Sequence, residues 1–164
     1  MKMSKWLGKW DMKSIKIKAR YLEAEFEFNE ADQDAAWYLY IELLTRITTQ
    51  PLPEEHGDEK TALDSIYSIF HLTRDTIKAH GRKCVSFTKI AIVVLNQIVR
   101  PFTAKWHKES IEGAFEYKEK CKEFRQELSQ LQEELREYTR MLADMAGVED
   151  LTELEYKEKG TADA

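Results

Sequence analysis

The strongest constraint on this fold lies in residues 87–107, FTKIAIVVLNQIVRPFTAKWH. The stretch IAIVVL at 90–95 is the longest aliphatic run in the chain, and no charged residue follows it until Arg100. A helix that is apolar all round has no water-facing side and must be buried. The run is shorter than the ~20 predominantly apolar residues that a bilayer span takes. It therefore predicts a central helix with others laid around it. Pro101 has no backbone N–H and predicts a kink or break between Arg100 and Phe102.

The rest of the chain supplies helices to surround it. Six Gly and three Pro in 164 residues disfavour a turn-rich β fold. Asn29 can cap a helix, with Asp32 and Asp34 near its positive end. Trp37, Tyr40, Ile41, Leu44 and Ile47 then recur at helical spacing, and Glu42 and Arg46 stand four apart in the favourable order. Pro51 and Pro53 stop this helix. Thr61 and Asp64 resemble a capping box for a second helix, with Leu63, Ile66, Tyr67, Phe70 and Ile77 facing the core and Gly81 at its end. Ser86 is placed to cap the central helix.

Tyr117, Cys121, Phe124, Leu128, Leu131, Leu135, Tyr138, Leu142 and Met145 are spaced alternately four and three apart. This is an a/d seam over four heptads, with charged residues and Gln filling most other positions. A helix over 109–146 would be on the order of 55 Å long, against ~30 Å for the preceding ones. It is expected to project, and its seam from Phe124 to Met145 is expected to pair with a second copy or a helical partner. Gly147 ends it, and 148–164 reads as a polar tail.

The first twenty residues carry a net charge of +6, leaving −11 for the rest. Met3, Trp6, Leu7 and Trp10 share one helical face beside Lys2, Lys5, Lys9 and Lys13. Trp6 and Trp10 could anchor the chain at a membrane interface. Packing on the protein's own helices, with the lysines in water, is the favoured reading. Residues 14–28 alternate as a strand does, with a phase slip at Tyr21–Leu22, and predict an extended arm. The expected layout is thus a basic aromatic arm at 1–28, a helical core at 29–108, a heptad helix at 109–147 and the tail. The acidic body argues against a duplex nucleic-acid groove, and nucleic acid is not an expected partner.

No phosphate loop, dinucleotide fingerprint or nucleophile elbow occurs. The four histidines and two cysteines lack paired-ligand spacing, so neither a metal nor a cofactor is expected. Isolated Cys84 and Cys121, with no secretory h-region, suggest a reducing cytoplasm. Arg74 and His80, with five residues between them and Asp75 straight after the arginine, resemble the Rx4-6H motif of HEPN-type ribonucleases, small helical domains that dimerise to unite two motifs. The resemblance implies His80 as general acid or base and Arg74 as phosphate ligand. The ordinary alternative pairs Arg74 with a neighbouring acid and sets His80 against the negative end of its helix. The buried amides Asn96 and Gln97, with Arg100, need partners, and Glu42 or Asp64 could pair with Arg100. The Trp106 indole is expected to bond locally.

The phrases AAWYLYIELLTRITTQPL and LNQIVRPFTAKWH resemble small helical modules of bacterial conflict and antiviral-defence operons. They consist mostly of packing residues, so they imply a setting and no reaction. The sequence thus predicts an all-α bundle with an extended N-terminal arm and a long projecting C-terminal coiled-coil helix. Its expected role is a non-enzymatic adaptor or oligomerisation module. A ribonuclease using Arg74 and His80 is the first alternative, and membrane association through Trp6 and Trp10 the second.

Overall fold

Asn29 and Asp32 start the bundle. The Asn29 side chain accepts from the Asp32 N–H, and Asp32 accepts from the Asn29 N–H, so two helix-end donors are satisfied reciprocally. In the computed structural model, which describes residues 1–10 and 17–155, this capping box opens α3 (Glu30–Leu44). Before it come two short helices, α1 (Met3–Leu7) and α2 (Ala19–Leu22). After it come α4 (Glu59–His80), α5 (Val85–Val94), α6 (Arg100–Ile111), α7 (Lys118–Ala146) and α8 (Thr152–Glu155). The fold is all-α, with one isolated antiparallel bridge between Lys2 and Glu25 among the described residues.

Helix α5 runs into α6 without a break. The predicted kink at Pro101 is replaced by a π turn over Leu95–Val99, in which the Arg100 N–H reaches the Leu95 carbonyl. A proline ring presses on the carbonyl four residues back, here Gln97, and offers it no N–H. A wider turn just before Pro101 relieves both problems. The continuous helix Val85–Ile111 is 27 residues long, and by length and composition it could cross a bilayer, contrary to the sequence expectation. Here it is a core helix, packing on α3, α4 and α7.

Two start signals also move. Helix α4 begins at Asp58, whose carboxylate accepts from the Thr61 N–H, and not at a Thr61–Asp64 box. Ser86 does not cap α5. The Phe87 N–H donates to buried Asp32 at 2.9 Å, so one carboxylate caps two helices. The predicted Glu42–Arg46 pair forms at 2.7 Å.

The long heptad helix is shorter than expected. Gly113, at φ 82°, and a tight turn at Ala114–Glu116 separate α6 from α7. Helix α7 keeps 29 residues, ~43 Å. It lies along α3 and also meets α4, α6 and the π turn. The N-terminal segment is likewise folded in: Met3 and Trp6 are buried, and the Phe26 N–H bonds the Met1 carbonyl. The strand-like reading gives way to helix α2 at Ala19–Leu22 and a single bridge beyond it. Its first residues, 14–16, lie outside the described ones, as does the tail from 156. Buried side chains from Trp6 to Met145 form one cluster, so the arm, the helical core and the heptad helix share a single interior.

Candidate functional site

The seam expected to bind another chain is spent inside this one. Phe124, Leu128, Leu131, Leu135, Tyr138, Leu142 and Met145 are all buried. Met141, Ala143, Thr139 and Gln132 are buried beside them, which widens the stripe beyond two residues in seven. Only the first two seam positions escape, with Tyr117 exposed and Cys121 half-buried.

The polar residues of α7 that looked like solvated coiled-coil flanks hold the α3–α4 connection instead. Gln132 Nε2 donates to the carbonyls of Ile47 and Gln50 at 2.6 and 2.7 Å. Arg136 donates to the Thr49 carbonyl. Arg125 donates to the carbonyls of Pro53 and Gly57, each at 2.9 Å, and pairs with Glu59 at 2.6 Å. Gly57 is required in that loop, because a Cβ there would lie 2.5 Å from both Leu52 and the Pro53 carbonyl. These bonds order the α3–α4 connection.

Trp6 and Trp10 were the candidate membrane contacts. Trp6 is buried, its indole N–H donates to Asp144 Oδ2 at 2.6 Å, and its ring meets Trp10, Phe26 and Phe28 edge-on. In this arrangement Trp6 has no face left for a lipid headgroup. Lys5 and Lys9 remain exposed.

Arg74 and His80 share α4 but do not converge. Six residues place them ~120° apart around the helix and ~9 Å apart along it. His80 Nδ1 lies 2.9 Å from the Thr76 carbonyl, and the ring sits 5.2 Å from that of Tyr38 on α3. Arg74 is exposed, with no carboxylate in ion-pair range among the described residues. Beside His80 is a polar hollow of about 500 Å³, lined by Asn29, Glu30, Asp34 and Lys83. No three described His, Cys, Asp or Glu side chains are grouped to hold a metal. Cys84 is buried, and burial pushes the Cys121 thiol up from its ordinary range, which disfavours the thiolate there.

Other expected partners also change. Arg100 bonds Asn96 Oδ1 at 3.0 Å and lies over the Phe70 ring, rather than pairing with Glu42 or Asp64. The Trp106 indole bonds Glu127, 21 residues away, at 2.9 Å. Lys105 bridges Glu123 and Glu127 beside it, and Lys120 joins Glu123 and Glu109. Between α6 and α7, Ile98, Phe102 and Leu131 floor a cleft of about 420 Å³.

The surface that sequence reading missed is the outer face of α3. Trp37, Tyr38 and Ile41 are exposed there, Tyr38 by 62%. Trp37 and Ile41 were expected in the core, but the buried residues are the pairs Ala35–Ala36, Leu39–Tyr40 and Leu43–Leu44. That four-residue recurrence of doublets is the signal that could have found it. It fixes the buried face and leaves Trp37, Tyr38 and Ile41 opposite. Trp37 stacks on Tyr40 at 5.8 Å, and Tyr38 rests on His80, so the exposed rings are held in place. No protein-family model, curated protein or solved structure matches this chain.

Proposed function

We propose that this chain is a non-enzymatic module that joins protein chains through the outer face of α3. One observation carries the reading: Trp37, Tyr38 and Ile41 form a contiguous exposed patch on a rigid helix. Large exposed apolar patches mark interaction surfaces, and aromatic anchors held by neighbours supply most of the binding energy at such sites. The partner proposed is a second copy. Two α3 helices crossing antiparallel about Leu39 would set Trp37 against Ile41 of the other copy. They would also set Asp34 near the other Arg46, an isologous and self-complementary arrangement. The resemblance of the packing phrases to modules of antiviral-defence operons is the sole ground for placing such an assembly in bacterial defence.

The test is the solution mass by light scattering. The wild type should be a dimer, and Trp37→Glu with Ile41→Glu should be a folded monomer with an unchanged helical spectrum. A monomeric wild type at high concentration sinks the proposal. The ribonuclease alternative draws no support from a dimer of this kind. His80 would approach the two-fold axis through Tyr38, while Arg74 stays on the other flank of α4.

A further inference from the structure

A second surface lies where α4 meets the π turn and α6. Along this ridge Tyr67 touches His107 at 4.7 Å between ring centroids, edge to face, and Arg100 lies 4.8 Å over the Phe70 ring. Arg74 stands one turn beyond Phe70 on the same flank of α4, and Lys78 one turn beyond that. Arg74, Lys78, Arg100 and Lys108 are all exposed.

Among the described residues, the two arginines of this ridge lack a carboxylate partner. Arg46, Arg125 and Arg140 each pair with an acid. Arg74 and Arg100 have none in ion-pair range among the described residues. Of the acids closest in sequence, Asp64 pairs with Lys60 and Glu109 with Lys120, while exposed Asp75 lies 3.6 Å from His71 and out of ion-pair range of Arg74. Arg100 is also pre-organised. Its Nε is tied to Asn96 and its guanidinium carbon lies over the Phe70 ring, which fixes the group without neutralising it.

We propose that this ridge binds single-stranded nucleic acid. Arginines without an ion-pair partner, held near the exposed Tyr67 ring, suit a ligand that alternates phosphates with flat bases, because the cations follow the backbone and the ring stacks a base. A duplex would need a broad basic footprint, which a chain of net charge −5 does not offer. An acidic polypeptide would use the cations and leave Tyr67 without a role. Folding has gathered positive charge that the acidic average of the body conceals.

Fluorescence anisotropy of the full chain with labelled oligo(U) and oligo(dT) at low salt tests this, and preference between the two reports whether a 2′-hydroxyl is read. Binding should weaken with salt. Arg74→Gln with Arg100→Gln should reduce affinity about tenfold and lower the slope of log K against log salt by about 1.4, two phosphate contacts' worth. Tyr67→Ala should reduce affinity about tenfold and leave the slope unchanged. Arg100→Lys, which keeps the charge and loses the Nε bond to Asn96, should fall between wild type and Arg100→Gln, with a matching melting curve to show the fold is intact. Absence of binding at low salt overturns the proposal. So does binding that ignores these variants but is lost in Lys5→Gln with Lys9→Gln. Poly-glutamate competing as well as oligo(U), with Tyr67→Ala silent, would assign the ridge to an acidic protein instead.

Discussion

Asp32 ties the starts of two helices together. Buried at the start of α3, it closes the capping box with Asn29 and accepts the Phe87 N–H at the start of α5. Its loss strands buried donors at two helix ends, so Asp32→Ala should cost about 3 kcal/mol, read from the urea midpoint. Asp32→Asn, which keeps an acceptor oxygen, should cost less. Equal effects of Asp32→Ala and of Asp34→Ala, at the exposed neighbour, would remove the role. Glu123 makes a contribution that depends on pH. Hydrogen bonds from Lys105 and Lys120 hold its carboxyl below the ordinary carboxylate range. A group depressed on folding stabilises the protein above its unfolded pKa, and that stabilisation is lost as pH falls through the folded value. The melting temperature of Glu123→Gln should therefore lie below wild type at neutral pH and converge with it in acid. A gap that persists in strong acid would contradict this.

Helix α7 shows what a heptad pattern can and cannot say. The pattern located the helix and every buried seam residue from Phe124 to Met145, but not the identity of the partner, because one's own α3 and a second copy present the same apolar face. The expected width of the stripe misled for a physical reason. Gln132 and Thr139 read as solvent-facing, yet each is buried and bonded to backbone carbonyls. Helix α3 erred the other way: Trp37 and Ile41 fit the helical period, but Ala35 and Ala36 let neighbouring helices approach on the opposite side. Size was a poorer guide to burial than the doublets. Changing Leu131 and Leu135 to Lys should unfold the protein rather than dissociate an assembly. Leu135→Ala alone should cost about 3 kcal/mol, measured by chemical denaturation. A folded Leu131→Lys, Leu135→Lys protein would show that the seam is dispensable to the core.

At the scale of the whole molecule, the described residues share one interior that no single helix completes. A version ending after Glu123 removes the seven seam residues Phe124 to Met145 from that interior. It should show no cooperative thermal transition in circular dichroism. A folded, cooperatively melting truncation would mean that α7 is an accessory and the remaining helices a domain in themselves. Composition and periodicity made the helical class legible, while the candidate interaction surfaces became visible only once folding had sorted buried faces from exposed ones. The bond from Trp6 to Asp144 spans 138 positions, and Tyr40 accepts from Leu151 across 111. Synthesis runs from the amino end, so Trp6, the inner face of α3 and the carbonyls of the α3–α4 loop all emerge long before the residues that cover them. Until residue 146 is made, the apolar residues of α1 and α3 lack the helix that covers them, so the bundle can close only as synthesis ends.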